Sequence, residues 1–316
     1  MKHRQHYVPQ FYLNNFACKV PGKTKKFRFI VYDCIKDSRY ASLSRNVAQC
    51  HNLHETSMKT PNFWEDTFSD YESGLAVPYS AFLEKCNHSN ESEIIITDKD
   101  KRMFSDMMRI QSLRTREAMN GMTAIISRTL DSVISEVLGP TAQLALYGER
   151  FPFYLDKEGF SKDRYIKNIF NDAANLEYYK IIKDRVWAIG HLSDDSTGLI
   201  FCTSDNPVIY FNSLTGDIRL GHATLDKKGS LLIFPLDKHN ILIIFPRDDA
   251  YFDAGDDPNM LDNRVFNILD AEQANFLNWL VYINSFSQIY FDESSNADVI
   301  IGGIRSMHEK KSRPRE

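Results

Sequence analysis

The chain has 316 residues, 43% hydrophobic and 25% charged, ordinary values for a globular protein with a core of its own. Its 38 basic and 42 acidic side chains leave a net charge of −4, so no whole-molecule field draws nucleic acid and a polyanion would need a local patch. Five cysteines with no CxxC pair argue against a disulfide framework and point to reduced thiols in a cytoplasm.

In chain order, the opening MKHRQHYVPQ carries charge but no apolar run, so no signal peptide is expected. No segment approaches the roughly 18 apolar residues of a membrane span. Pro9 can open a short helix that puts Tyr12, Leu13 and Phe16 on one side, with His6 and Gln10 facing a common point. The alternating run Lys26–Tyr32 predicts a strand between turn-formers. Helical spacing takes over in Asn62–Lys85, where Pro78 should kink the helix. Thr97 or Asp98 can cap a long helix running towards Leu138 and closed by Gly139-Pro140. At about 1.5 Å per residue it would span roughly 60 Å, so it is the spine of the fold or it breaks near Gly121. A further helix is predicted over Lys162–Lys183.

From Arg185 the pattern becomes β. Short runs rich in β-branched and aromatic residues occupy Val186–Gly190, Gly198–Cys202, Pro207–Phe211, Leu231–Pro235 and Asn240–Phe245. Connections this short suit antiparallel meanders. A last helix is predicted over Asn259–Phe286. The predicted class is α+β: a helical middle with one long helix packed on a mainly antiparallel sheet. Residues 1–304 read as a single intertwined domain, and 305–316 (RSMHEKKSRPRE) as a disordered basic tail.

The long helix carries an anomaly. Its apolar stripe runs through Phe104, Met107, Met108, Ala118 and Met122, yet the same stripe includes Gln111 and Arg114. A guanidinium there needs partners, because an unpaired buried charge costs several kcal/mol. Glu65 and Glu72, two turns apart on the preceding helix, and Asp205 are the candidate carboxylates. The readings are a structural ion pair, an anion held by Arg114, or an arginine that snorkels to water.

A second anomaly is FCTSDNPVIYF (Phe201–Phe211), which sets Ser204, Asp205 and Asn206 between apolar runs. Asx side chains cap tight turns, and the residue before Pro207 is pushed to extended geometry. The other reading is a site: Asp205 and Asn206 presented near His6, Gln10, Tyr12, Gln111 and Arg114. Such a set could hold a phosphate, or a divalent metal (magnesium or manganese) through Asp205 and water. In that reading Asp205 is the acid or metal ligand, His6 the proton carrier and Arg114 the anion clamp.

Taken together, RQHYVPQFYLNNF (Arg4–Phe16), QSLRTR (Gln111–Arg116), TSDNPV (Thr203–Val208) and FPL (Phe234–Leu236) resemble a bacterial family of unknown function marked by an N-terminal RQHYVPQFYLxxF. The resemblance covers most of the chain and implies that His6, Gln10, Tyr12, Gln111, Arg114, Asp205 and Asn206 belong together, in a bacterial or mobile-element setting. Two functions follow as expectations. One is a phosphodiester or nucleotide hydrolase, a nuclease-type effector in bacterial conflict with nucleic acid or nucleotide as partner. The alternative is a non-catalytic binding or sensor module for a small anionic ligand or a protein partner.

Weaker signals are set aside. Cys50-His51-Asn52-Leu53-His54-Glu55 resembles a metal box but lacks a second ligand pair for zinc. No GxGxxG, P-loop or GxSxG occurs. Lys23–Arg28 is a basic hairpin interleaved with an aromatic residue, and Asp253–Asp257 lacks the pattern of a calcium loop.

Overall fold

The strands of the second half are apolar on both sides, and the computed structural model shows why. It describes residues 4–23, 26–88, 94–147, 156–192, 198–218, 225–247, 258–268, 270–293 and 295–312. A six-stranded sheet is built from β6 (Val186–His191), β8 (Ile209–Asn212), β9 (Asp217–Ile218), β10 (Ser230–Pro235), β11 (Asn240–Phe245) and β12 (Arg264–Asn267), in the order β12-β6-β11-β10-β8-β9. Successive side chains of a strand face opposite ways. Leu232, Phe234, Leu242 and Ile244 therefore enter a core shared with α2 (Phe63–His88), α3 (Asp98–Arg114), α5 (Lys157–Ile169) and α6 (Asp172–Ile182). Leu231, Ile233, Ile241 and Ile243 enter the opposite core, under α7 (Ala271–Asn284) and α8 (Ala297–Ser312). Both faces of the sheet are covered, so its strands read as unbroken apolar runs.

A second sheet ties the chain's two ends together. β3 (Phe27–Asp33) pairs antiparallel with β4 (Ser38–Leu43) on one side, and with β2 (Cys18–Lys19) and β13 (Gln288–Asp292) on the other; β13 also pairs β7 (Thr203–Ser204). A two-stranded ribbon joins β1 (Arg4–His6) to β5 (Gln49–His51). Most pairings are antiparallel, β12 with β6 being parallel. The α+β class and the antiparallel sheet over 186–245 are as the sequence predicts.

Several boundaries differ. The single long helix is two: α3 ends at Arg114, and α4 (Arg116–Tyr147) begins after Thr115, whose extended backbone (ψ 151°) separates them. The break falls at Thr115 and not at Gly121 because the threonine hydroxyl accepts from Ala118 N at 3.2 Å, capping α4. Gly139-Pro140 lies inside α4 instead of closing it. The predicted start holds: Thr97 forms a full capping box with Asp100. Lys162–Lys183 divides at Asn171, which caps α6 through its side chain. Gly198–Cys202 forms no strand, and the strand beyond it, β7, belongs to the other sheet. Asn259–Phe286 holds a short 3-10 turn (Pro258–Leu261), strand β12 and helix α7, which Asp270 caps. Residues 305–312, expected as a disordered tail, continue α8, because Ile304 and Met307 are buried against the sheet's second core. The DAGDD segment and part of the basic hairpin lie outside the described residues. Among those described, no helix is long and apolar enough to cross a membrane.

Candidate functional site

The two polar residues of the α3 stripe hold the backbone of the N-terminal strand. Arg114, 2% exposed, donates through Nη2 to His6 O at 2.5 Å and through Nη1 to Glu72 Oε1 at 2.6 Å. Its guanidinium lies 4.3 Å over the Phe68 ring. Gln111, one turn earlier, donates from Nε2 to Tyr7 O at 2.9 Å. Of the three readings for Arg114, the structural ion pair is the one observed. His6 turns its ring to Gln10, whose Nε2 lies 3.1 Å from His6 Nε2, as their spacing predicts.

His54, which lies outside the family motifs, occupies the same neighbourhood. Its ring packs on Phe68 with centroids 4.4 Å apart, and Nδ1 lies 2.9 Å from Glu65 Oε2. Gln5 closes the other end, donating from Nε2 to Glu55 Oε1 at 2.7 Å and accepting from His54 N at 2.6 Å. Glu65 and Glu72, both candidates for Arg114, thus serve His54 and Arg114 in turn. Three buried atoms here take no bond: Arg114 Nε, Gln111 Oε1 and His54 Nε2.

Burial holds the His54 imidazole well below its ordinary range, with the positive charge of Arg114 acting the same way. In neutral His54 the Nδ1 proton goes to Glu65 and Nε2 stays bare, which agrees with the orphaned atom. A folded pKa depressed below the unfolded value of about 6.5 means that the unfolded chain binds the extra proton. The stability tied to His54 is therefore full above about pH 6.5 and declines as pH falls, by up to about 1.4 kcal/mol per unit. Its charged neighbours Glu65, Arg114, Lys162, Glu55 and His6 contribute alongside. Urea midpoints between pH 7.5 and 5.5 should fall more steeply for the wild type than for His54→Gln. Equal slopes would show that His54 does not carry the dependence.

The S-D-N turn is a lock. Asp205, 1% exposed, accepts from Phe286 N (2.9 Å), Ser287 N (2.9 Å), Ser287 Oγ (2.8 Å) and Gln288 N (3.1 Å). Asn206 Nδ2 donates to Asn284 O at 2.9 Å, and Asn284 Nδ2 returns bonds to Asn206 O and Val208 O at 2.7 and 3.1 Å. The turn thereby fixes the passage from α7 into β13. Burial pushes the Asp205 carboxyl above its ordinary range, against the pull of its donors.

Tyr12 is equally committed. Its hydroxyl meets Thr203 Oγ1 at 2.7 Å and donates to Pro235 O at 2.9 Å, while its ring stacks on Phe234. His6, Gln10, Gln111 and Arg114 therefore form one cluster, while Asp205, Asn206 and Tyr12 are tied to the sheet and the α7–β13 loop. The residues do not fit the divalent metal expected at Asp205: its lone pairs already face N–H and O–H dipoles that repel a cation. Among the described residues no group of three or more His, Cys, Asp or Glu side chains is placed to hold a metal. In the apparent metal box, Cys50 and His51 belong to β5, and His54 and Glu55 are held by Glu65 and Gln5.

Between these polar regions, two motif segments wall a cleft of about 330 Å³. The end of α3 and first turns of α4 supply Leu113, Glu117, Gly121, Met122 and Ile125; the sheet supplies Asn206, Val208 and Tyr210, and Tyr165 and Phe286 complete it. Met122 and Ile125 are 38% and 51% exposed, so the apolar mouth of the cleft faces water. A side chain at Gly121 would meet nothing within 4 Å. Sequence reading passed over Glu117, Gly121, Met122 and Tyr165 as site residues. The available signal was the pairing of Ala118 with Gly121 on α4, two small residues that leave a groove beside the apolar stripe.

No curated protein and no solved structure matches the chain. A family model does, over residues 4–295, with the description "Protein of unknown function (DUF4238)".

Proposed function

We propose, from the premise that this chain belongs to the DUF4238 family of proteins of unknown function, that it is a non-catalytic binding or sensor module of the bacterial cytoplasm whose ligand sits in the cleft between α4 and β8. One observation carries the reading. The motif charges are consumed internally, Arg114 by Glu72 and Asp205 by four donors, whereas the same segments leave a partly enclosed, mostly apolar cavity empty of side chains. A cavity of that size and lining, with few convergent polar groups, suits a small molecule. The five cysteines are all free, in keeping with a reducing compartment.

The hydrolase reading draws its support from His6, a half-buried imidazole kept neutral by burial and by Arg114. Turnover of a phosphodiester substrate that His6→Ala removes would reinstate it. Arg114 offers little to an anionic ligand, because Glu72 neutralises it.

Gly121 supplies the test. A mid-helix glycine costs about 1 kcal/mol relative to alanine, and nothing stands near its missing side chain. Gly121→Ala is expected to raise the urea midpoint, and Gly121→Leu to fill the cleft while remaining folded. A small-molecule thermal-shift screen should give stabilising compounds whose effect Gly121→Leu abolishes. Hits that bind the leucine variant equally well would place the ligand elsewhere and end this reading.

A further inference from the structure

The polar side chains that line the cleft have their protons engaged within the protein, so what they leave over is acceptors. Ser112 lines it, but its hydroxyl proton goes to Arg109 O at 2.9 Å. Tyr165 donates to Leu113 O at 2.8 Å. The hydroxyl of Tyr210 has both Tyr178, at 3.0 Å, and Ser112 as hydrogen-bond partners, so its proton is engaged whichever of the two it points at. Asn206 is locked by its own network: Nδ2 must point at the Asn284 carbonyl, which cannot receive Oδ1 instead, so the amide cannot flip. Its Oδ1, on a side chain 2% exposed, takes no bond from any described residue. Glu117 accepts from Arg116 through Oε1, leaving Oε2 without a donor among the described residues. No Lys, Arg or His is among the described residues that line the cavity.

Resting on the binding reading above, we infer that the cleft selects a flat apolar ring system bearing an N–H donor, neutral or cationic, and rejects anions. The ring fits against Tyr165, Phe286 and the alkyl chains of Met122 and Ile125. The N–H meets Asn206 Oδ1, which takes no donor from the described residues and loses its access to water once a ligand covers it, so a ligand without a donor is penalised. A cationic amine gains further from Glu117 and the aromatic faces. An anion meets one carboxylate and a ring of lone pairs. This reverses the charge expected from the sequence, where Arg114 was cast as the clamp.

Four probes of similar shape separate the terms: indole, tryptamine, 1-methylindole and indole-3-acetate, each followed by saturation-transfer NMR with the 316-residue chain. Indole and tryptamine are expected to bind, tryptamine tighter. 1-Methylindole should be weaker than indole by about tenfold, the scale of one lost hydrogen bond. Indole-3-acetate, which keeps the N–H, should be weaker than tryptamine because its carboxylate faces Glu117 with no cation among the described lining residues. Glu117→Gln should weaken tryptamine and leave indole nearly unchanged, and Gly121→Leu should abolish both signals. 1-Methylindole binding as well as indole would overturn the donor requirement, and indole-3-acetate binding as well as tryptamine would overturn the rejection of anions, while the cleft remained the site. Failure of all four overturns the ligand class; the cleft itself is judged separately by the screen with Gly121→Leu.

Discussion

Asp205→Ala is expected to unfold the protein or cost at least about 4 kcal/mol, a large part of the roughly 5–15 kcal/mol that holds a domain together. Three backbone N–H groups and the Ser287 hydroxyl lose their acceptor at once. Each buried donor stranded in this way costs about 1–3 kcal/mol, reduced where water can enter. Asp205→Asn should cost less, since one oxygen survives, but its amide N–H₂ then points at donors and cannot restore the wild-type value. Urea denaturation with unchanged m-value would establish the loss as one of stability. A fully folded Asp205→Ala with a wild-type midpoint would free the carboxylate for the acid or metal-ligand role that the sequence suggested.

Glu72→Ala is the second large effect, expected at about 3 kcal/mol. It leaves the 2%-exposed guanidinium of Arg114 without its carboxylate, and breaking a buried pair from one side typically costs about 3–5 kcal/mol. The lower end applies because the Glu72 side chain is 20% exposed and water can reach the pair. Arg114→Met with Glu72→Gln removes both charges and keeps a polarizable chain over Phe68, so the double variant should be more stable than Glu72→Ala alone. The loss that remains belongs to the bond to His6 O. Strictly additive single effects in a double-mutant cycle would show that the two side chains do not act as a pair.

The local grammar of this fold was readable. Thr97 begins α3, Pro78 sits within α2, and the β-branched runs of β6, β10 and β11 became neighbours in one sheet. Arg114 declared itself by standing in an apolar stripe. Legibility ended where tertiary contact overrode local preference. Thr115 interrupts a helix that its neighbours would continue, with no glycine or proline to mark the place. Arg264–Asn267 looks helical by spacing, yet forms a strand because the open edge of β6 offers it backbone partners. The lock around Asp205 could not be read from TSDNPV, because its donors lie 81 to 83 residues downstream. The cleft was hidden for the same reason: Asn206 and Gly121 belong to unrelated segments, and only packing brings them to one cavity.

The pairing of β3 with β13 has a consequence for how the protein is made. Ile30, Val31 and Tyr32 take their backbone partners from Phe291, Tyr290 and Ile289. Tyr12 likewise waits for Thr203 and Pro235. On a ribosome adding roughly 5–20 residues per second, the first strands emerge many seconds before these partners exist. Contacts this distant along the chain also slow folding once synthesis ends. Val31 and Phe29, wholly buried in the finished molecule, must meanwhile be shielded. A nascent chain of this architecture therefore has reason to depend on chaperones, and a truncation that removes β13 should leave its amino-terminal third without a stable home.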